Sequence, residues 1–69
     1  MSNSVYKIIE LVGTSETSWE QAAKTAVERA AETLDDLRVA EVVAQDLVIE
    51  EGEVKAYRIK VKVSFRFHD

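Results

Sequence analysis

Hydrophobic residues recur three and four positions apart in the first half of the chain, and this spacing predicts an amphipathic helix over residues 18–36. Ser18 with Gln21, or Thr17 with Glu20, has the spacing of a capping box at its start. The apolar stripe of the helix consists of Trp19, Ala22, Ala23, Ala26, Val27, Ala30, Leu34 and Leu37. Because half of these residues are alanine, a sheet can approach the helix axis closely, but little side-chain area is buried.

Two acidic residues, Asp35 and Asp36, lie at the C-terminal end of this predicted helix. The helix dipole disfavours an anion there by about 0.3–1 kcal/mol. In one interpretation, Asp36 already belongs to the following connection and Asp35 is solvated. In the other, the pair meets a cation or a neighbouring subunit, since local rules are often broken where something else compensates. We favour the first interpretation.

Three other segments have the composition of β-strands, and they cover approximately residues 4–13, 38–50 and 53–67. The third alternates with period two from Tyr57 onward, with apolar residues at odd positions. Its even positions carry Arg58, Lys60, Lys62, Ser64 and Arg66. The first two segments have apolar residues at both parities, which predicts that both of their faces are covered. The acidic segment around Gly52 is predicted to be a hairpin turn.

The predicted order of elements is β-α-β-β, which places the chain in the α+β class as a single domain over residues 1–69. We expect a three-stranded antiparallel sheet wrapped around one helix. The two longer strands reach roughly 40 Å at about 3.3 Å per residue, whereas the helix reaches near 30 Å. One alanine-lined helix cannot cover a sheet of that length. The uncovered apolar surface therefore predicts an oligomer.

Composition and charge narrow the functional classes. The net charge of −4 argues against a nucleic-acid binder, which carries an excess of Lys and Arg. No apolar run approaches the roughly 20 residues that span a bilayer, and Glu10 interrupts the only candidate signal segment. We therefore expect a cytoplasmic protein without membrane or nucleic-acid partners.

With no Cys and only His68, the chain cannot form a thiolate or a histidine-cluster metal site.

No catalytic arrangement is recognisable in the sequence. The chain has no Cys, no Gly-x-Ser-x-Gly elbow and only two glycines, so a Gly-rich phosphate loop is excluded. Glu10, Glu41 and Asp46 are candidates for an acid–base pair, but the sequence fixes no distance between them. We expect a protein that is not an enzyme.

Arg58, Lys60, Lys62 and Arg66 form a cationic row on the third strand. This row either holds a phosphate-bearing ligand or faces solvent, paired with acids of the neighbouring strand. Trp19 is either a stacking platform or a core anchor.

The first strand ends in Glu10-Leu11-Val12-Gly13-Thr14-Ser15, and the last closes on Val63-Ser64-Phe65-Arg66. These two segments resemble the dodecin family. With the β-α-β-β order, the resemblance covers nearly the whole chain. It implies a subunit whose sheet wraps partway round its helix, and a homododecameric, hollow shell of cubic symmetry. Such an assembly would cover the apolar surface described above.

Most dodecins bind flavins between tryptophans near a two-fold axis, and the resemblance assigns positions to that pocket. Val39 occupies the position of the stacking tryptophan, and Arg58 that of a flavin-contacting glutamine. Arg66 matches one of the arginines that contact nucleotide phosphates in some members, whereas Asp46 stands at the position of the other. Stacking on an aromatic ring is worth about 1–3 kcal/mol, and valine has no π face. We therefore do not expect FMN, FAD or riboflavin to bind in the usual way.

A second set of segments is Thr17-Ser18-Trp19-Glu20-Gln21-Ala22-Ala23, Asp35-Asp36-Leu37-Arg38-Val39-Ala40, Gln45-Asp46, and Tyr57-Arg58-Ile59-Lys60 with Val63-Ser64-Phe65. These segments resemble the branch of the family called calcium dodecins. The resemblance implies a dodecamer with a calcium site. Calcium takes six to eight oxygen ligands, and the chain has no EF-hand-like loop, so carboxylates from separate elements or from symmetry-related copies must supply them. The candidates are Asp46, Glu10, Asp35 and Asp36.

Three functions follow as hypotheses. The first is a non-enzymatic homododecamer of the calcium-binding type, which stores or buffers a small ion or molecule. The second is a flavin-storing dodecin with an altered pocket. The third is a structural shell without a ligand.

Overall fold

The structure is a computed structural model that describes residues 3–66, and these residues form one helix and three strands. The elements are strand β1 (Tyr6–Ser15), helix α1 (Trp19–Ala31), strand β2 (Leu37–Glu50) and strand β3 (Glu53–Arg66). The strands form one antiparallel sheet in the order β1-β3-β2. The predicted α+β class and β-α-β-β order are confirmed. Phe67, the predicted last residue of β3, lies outside the described residues.

The two faces of the sheet differ in chemistry. The face towards α1, called the inner face, carries Ile59, Val61 and Val63 of β3, which are at most 2% exposed. On β1, Leu11 lies opposite Val61 and Gly13 lies opposite Ile59. The other face, called the outer face, carries Arg58, Lys60, Lys62, Ser64 and Arg66 of β3. The alternation of β3 therefore separates a buried apolar face from a charged one.

The helix lies close to the sheet because the residues at the contact are small. Ala22, Ala26 and Ala30 are the buried residues of α1, and the first two lie against Gly13 of β1. A Cβ atom added to Gly13 would lie 2.3 Å from the carbonyl oxygen of Ala22. The helix packs mainly on β1 and β3 and much less on β2. The inner face of β2 is therefore left largely uncovered.

Helix α1 begins at the predicted place but ends earlier than the sequence predicts. The Ser18 hydroxyl accepts a hydrogen bond from the Gln21 backbone N–H at 3.0 Å, as expected for the N-cap. The helix then stops at Ala31 rather than at residue 36. At this end the Glu32 N–H donates to the carbonyl three residues earlier, Arg29, at 3.2 Å. This shorter-range hydrogen bond closes the last turn of the helix.

The connection between α1 and β2 contains the acidic pair. Asp36 has a φ of 64°, a left-handed conformation that turns the chain out of the helical path and into β2. Its carboxylate pairs with Arg38 Nη2 at 2.7 Å, and its carbonyl accepts a hydrogen bond from the Arg66 N–H at 3.3 Å. Asp35 is exposed. The interpretation that places Asp36 in the connection is therefore confirmed.

Strand β1 begins and ends later than the predicted range 4–13. Thr14 and Ser15, which lie beyond the predicted range, still pair with Arg58 and Tyr57 of β3. The sheet is therefore longer at this end than the sequence predicts.

The subunit is elongated and exposes more surface than a compact chain of its size. Its extents are 55 × 20 × 14 Å and its radius of gyration is 14.4 Å, whereas a compact domain of this length has a radius of roughly 11 Å. Its accessible surface is 5349 Å², against roughly 4,400 Å² for a folded monomer of this mass. The subunit viewed alone is therefore less closed than an ordinary globular domain.

Large hydrophobic side chains account for much of this surface, and all those named next are at least 40% exposed. They are Val5, Tyr6, Ile8, Val12, Val39, Val42, Val43, Leu47, Ile49 and Val54, and we call them the exposed apolar surface. They lie on β1, β2 and the start of β3, with Val5 just before β1. The prediction that both faces of the first two strands are covered is therefore not met within one subunit. Contiguous apolar exposure marks an interaction surface in a folded protein.

The β2–β3 hairpin offers a stabilising substitution. Its loop residues Glu51 and Gly52 have φ values of 53° and 78°, the pattern of a type I′ turn, which favours Asn-Gly. We expect Glu51→Asn to raise the free energy of unfolding by roughly 0.5–1 kcal/mol, because asparagine tolerates the left-handed conformation better than glutamate. Urea unfolding measures the change. Glu51→Gln removes the same charge without that backbone preference, so an equal gain from Gln would contradict the explanation.

Candidate functional site

Most of the charged residues named above as candidates for binding a ligand or for acid–base chemistry lie on the outer face of the sheet. Arg58 lies opposite Asp46 of β2. Lys62 lies between Glu10 of β1 and Glu41 of β2. Opposite charges on neighbouring strands stabilise a sheet by a few tenths of a kcal/mol to about 1 kcal/mol. The cationic row is thus matched with acids at these two positions, as the second interpretation of this row predicts.

The three carboxylates considered as an acid–base pair are not brought together. Glu10 and Glu41 lie on the two edge strands, with β3 between them, so about 10 Å separates their backbones. Lys62 occupies the intervening position. Asp46 faces Arg58, at a different level of the sheet. The described residues therefore provide no pair of adjacent carboxylates from this set.

Asp46 and Arg58 form a bidentate ion pair. Arg58 Nε donates to Asp46 Oδ1 at 2.8 Å, and Nη2 donates to Oδ2 at 2.7 Å. These hydrogen bonds, together with the positive charges of Arg58 and Lys60, hold the pKa of Asp46 below its ordinary value. The same hydrogen bonds raise the pKa of Arg58. Both side chains are about half exposed, so the pair is geometrically well formed but screened by water.

Trp19 fixes the start of α1 to the same part of the sheet. Its indole Nε1–H donates to the backbone carbonyl of Asp46 at 3.1 Å. Its ring packs edge-on against Tyr57, with centroids 5.2 Å apart and an interplanar angle of 79°. The side chain is partly buried against the core. Trp19 therefore anchors the helix, in keeping with the second of the two interpretations of this residue. No pattern in the sequence signals its contact with Asp46.

A hollow of about 300 Å³ opens on the outer face beside this ion pair. Its lining residues are Val12, Ala44, Asp46, Arg58, Ile59 and Lys60. Lys60 lies between Val12 and Ala44 in the strand register, so the residues opposite it are apolar, unlike those opposite Arg58. Two cations and one carboxylate therefore line the hollow, and its local charge is positive.

The positions assigned to a flavin pocket lie far apart along the outer face. Val39 is opposite Ser64 and is 63% exposed. Arg66 is two residues beyond Ser64, about 7 Å along the strand. Arg58 is six residues from Ser64 in the other direction, about 20 Å away. One subunit therefore does not bring Val39 and Arg58 to the same ring system, and Val39 provides no aromatic face for stacking.

The calcium candidates are also distributed along the sheet. Asp46 and Glu10 face positions four residues apart on β3, a separation of about 13 Å. Asp35 and Asp36 lie in the connection near the end of β3, roughly 26 Å along the strand from Asp46. Calcium ligands lie within about 2.6 Å of the ion, so these groups do not share one ion within a subunit. Residues 3–66 contain no group of three His, Cys, Asp or Glu side chains placed to hold a metal.

These observations test how well the chain fits a calcium ion. The donor chemistry fits, because carboxylate oxygens are the ligands that calcium prefers. The number of carboxylates at any one place in a subunit is too small for a complete shell. Two of the candidates, Asp46 and Asp36, also have arginine partners already. Within residues 3–66 these carboxylates alone therefore do not make a complete calcium shell.

Comparison with known proteins identifies the family. The fold described above is a β-α-β-β unit in which one helix packs on one face of a three-stranded antiparallel sheet. A sequence model of the Dodecin family matches residues 5–68, and the chain belongs to the dodecin family.

Two curated relatives and two solved structures illustrate the similarity. The chain is 54% identical over 63 residues to a calcium dodecin of Mycobacterium tuberculosis, covering 91% of this chain and 89% of the relative. It is 43% identical over 65 residues to a dodecin of Thermus thermophilus, covering 94% of each chain. The dodecin structure from Streptomyces coelicolor has a TM-score of 0.93 at 39% identity, over 100% and 99% of the two chains.

The crystal structure of the Mycobacterium tuberculosis calcium dodecin has a TM-score of 0.84 at 53% identity. It covers 94% of this chain and 93% of that protein. That protein is described as calcium chelating and as having a novel calcium-binding site. The identification of the family and of its calcium-dodecin branch from the sequence motifs is therefore confirmed.

The ion pair also leads to a prediction about pH. Because Arg58 depresses the pKa of Asp46 in the folded state, the pair contributes stability above the unfolded pKa of about 3.9. That contribution is lost as the pH falls through the lower, folded pKa. We expect the urea midpoint of Asp46→Asn to lie below that of the wild type at neutral pH, and the two midpoints to converge in strong acid. A difference in urea midpoint that stays constant from neutral pH to strong acid would contradict the contribution of the Asp46–Arg58 pair to stability.

Proposed function

We propose that the chain is the subunit of a non-enzymatic homododecameric shell that binds and buffers calcium. The main observation behind the assembly is the exposed apolar surface, whose residues lie on both edge strands. A single subunit also has roughly 1,000 Å² more accessible surface than a compact monomer of its mass. Membership in the dodecin family supports the closed shell. A closed shell removes the exposed strands from water and makes a stable particle from subunits with small cores.

Calcium is the ligand that the similarities favour. The relative that is 54% identical is named a calcium dodecin, and Val39 stands where flavin stacking would need an aromatic ring. Symmetry-related copies of one carboxylate can complete an oxygen shell that one subunit lacks. Asp46 is the carboxylate that we select first, because its side chain is about half exposed on the outer face. Glu10, Asp35 and Asp36 are the further candidates.

The remaining features suit a soluble storage role. The net charge of −4 favours cations over nucleic acid as partners. No helix within residues 3–66 is long and apolar enough to cross a membrane. We place the protein in the cytoplasm, with further copies of itself and a small ion as its partners.

Native mass spectrometry with and without a chelator tests both parts of the proposal. We expect a dodecamer that loses mass in multiples of calcium when the chelator is added. Isothermal titration of the chelated protein should show calcium binding, weakened by Asp46→Ala or Asp35→Ala and unchanged by Glu16→Gln in the exposed turn before α1. A soluble, well-folded single subunit at low concentration would overturn the shell, and a flat titration would overturn the calcium assignment.

A riboflavin titration distinguishes the flavin hypothesis. Quenching of riboflavin fluorescence at micromolar protein would favour a flavin dodecin with an altered pocket. We expect no quenching, since Val39 has no π face to stack on the ring. A dodecamer that responds to neither calcium nor riboflavin would favour a structural shell.

A further inference from the structure

We propose that the hollow on the outer face is a binding site for a small organic phosphate, held between the Lys60 ammonium and the Arg58 guanidinium. The apolar part of this ligand lies against Val12 and Ala44. The site uses the cations of the outer face and none of the carboxylates considered for calcium. It therefore goes beyond the proposed function and is tested independently of it.

Lys60 is the cation of the hollow that has no acid opposite it. In the strand register it lies between Val12 of β1 and Ala44 of β2. Within residues 3–66, Lys60 forms no ion pair. Its side chain is exposed and lines the hollow. Its positive charge is therefore in place to meet a ligand.

The carboxylates diagonal to Lys60 on the outer face have other partners. Asp46 is held by Arg58 through both of its oxygens. Glu10 lies opposite Lys62, and a directly opposite residue is closer than a diagonal one. An anion that approaches Lys60 therefore competes with no carboxylate placed directly opposite it.

Arg58 can contact an anion while it holds Asp46. Its Nε and Nη2 each donate one hydrogen bond to Asp46, at 2.8 and 2.7 Å. A guanidinium has five N–H donors, so this pair leaves the two donors of Nη1 for a ligand. The bidentate pair also fixes the plane of the guanidinium, which lowers the entropy that a ligand has to remove. Asp46 is thus a positioning residue for Arg58.

An irregularity of β2 makes the wall beside Lys60 small. Val42 lies opposite Val61, so regular pairing would place Val43 opposite Lys60. The register shift after Val42 places Ala44 there instead, and bulges of this kind often lie next to binding sites. The hollow measures about 300 Å³, at the lower end of the size range of small-molecule sites. It fits a small organic phosphate rather than a dinucleotide.

The charges of the hollow favour a phosphomonoester over a carboxylate. A phosphomonoester carries about −1.5 to −2 charges at neutral pH and has three acceptor oxygens. One oxygen can accept a hydrogen bond from Arg58 Nη1 while another meets the Lys60 ammonium. A carboxylate brings one charge and two oxygens. Because the chain has a net charge of −4, most of its surface repels such an anion, and this hollow is a local exception.

Lys60→Gln removes the charge on which the site depends. We expect it to weaken the binding of phenyl phosphate about tenfold, the effect of removing a unit charge about 4 Å from a dianion in water at physiological salt. Lys55→Gln is the matched control, with the same charge change on the same strand. Lys55 is five residues from Lys60, about 16 Å, beyond the screening length, so we expect less than a twofold change.

Ala44→Glu tests the same idea with Lys60 in place. Ala44 is exposed and lies opposite Lys60, so the new carboxylate pairs with the ammonium across the strands. We expect a loss of phenyl phosphate binding of tenfold or more. Ala44→Gln introduces a side chain of the same size without the charge, and we expect it to weaken binding much less.

Calorimetry and phosphorus NMR of phenyl phosphate, titrated in calcium-free buffer, measure these effects on proteins whose wild-type oligomeric state has been checked by native mass spectrometry. Weaker binding in Lys60→Gln and Ala44→Glu, with both controls close to the wild type, supports the site. Two results overturn it: a wild type that does not bind, or a loss in Lys55→Gln equal to that in Lys60→Gln. Benzoate that binds as tightly as phenyl phosphate overturns the choice of phosphate. A failure of the proposed function appears separately, in the calcium titration.

Discussion

Replacing Gly13 with alanine is expected to lower the free energy of unfolding by about 3 kcal/mol or more, at the upper end of the cost of overpacking a core. The new Cβ atom would lie 2.3 Å from the Ala22 carbonyl oxygen and 3.0 Å from the Ala26 Cβ. The carbonyl belongs to the helix backbone and cannot rotate aside. The helix must therefore move away from the sheet, and the contact that buries Ile59 and Val61 opens. A small domain has only about 5–15 kcal/mol of stability in total.

Gly52→Ala is the control for this prediction. Gly52 lies in the hairpin with a φ of 78°, and nothing lies within 4 Å of an added Cβ. The substitution introduces backbone strain alone, which costs about 1–2 kcal/mol. Urea unfolding followed by circular dichroism compares the two variants. If Gly13→Ala proves as mild as Gly52→Ala, the close approach of α1 and β1 is not what holds the subunit together.

The close contact itself was predictable from the sequence, whereas the end of the helix was not. The alanine stripe indicates a helix that lies near a sheet and covers little of it, and the structure shows both features. Leu34 and Leu37 continue the helical spacing beyond Ala31, so periodicity extends the predicted helix too far. Leu37 in fact packs against the core as the first residue of β2. An apolar residue of the next strand thus falls by chance into the helical pattern.

The Asp46–Arg58 pair could not be predicted from the sequence because the strand register is irregular. Counting back from the Glu50–Glu53 pair that closes the hairpin would place Asp46 opposite Tyr57. A shift between Val48 and Ile49 moves the register by one residue, and Asp46 faces Arg58 instead. A shift of one residue transfers a side chain to the other face of the sheet. Sequence patterns do not locate such irregularities in the register. In this sheet, the irregularity decides which side chains form the candidate site.

The distribution of the candidate ligands has a different cause. Residue chemistry identifies Asp46, Glu10, Asp35 and Asp36 as oxygen donors. Strand geometry then places Glu10 about 13 Å from Asp46, and the adjacent Asp35 and Asp36 about 26 Å from it, within one subunit. In the proposed shell, contacts between copies would bring carboxylates within reach of one ion. The residues that make those contacts would then matter for calcium binding as much as the ligands do.

Replacing Ile8 with lysine is expected to break the assembly while leaving the fold of the subunit intact. Ile8 is 61% exposed and lies on the outer face of β1, opposite Ser64, so it contributes little to the core. Burial of an isoleucine side chain in an interface is worth about 1.5–3 kcal/mol for each copy, and a closed shell repeats that loss in every subunit. A buried lysine adds a desolvation cost. Native mass spectrometry should show small species instead of a dodecamer.

The matched control for this prediction is Thr25→Lys, which adds the same charge at an exposed position of α1. Thr25 lies away from the sheet, and lysine is a good helix former, so we expect this variant to remain assembled. Calcium titration of both variants then links assembly to binding: because one subunit holds too few carboxylates at any one place, Ile8→Lys should lose calcium together with its quaternary structure. If Ile8→Lys stays dodecameric, the outer face of β1 is not part of the subunit contact. If it dissociates and still binds calcium, the ion is held within a single subunit and the requirement for several copies is wrong.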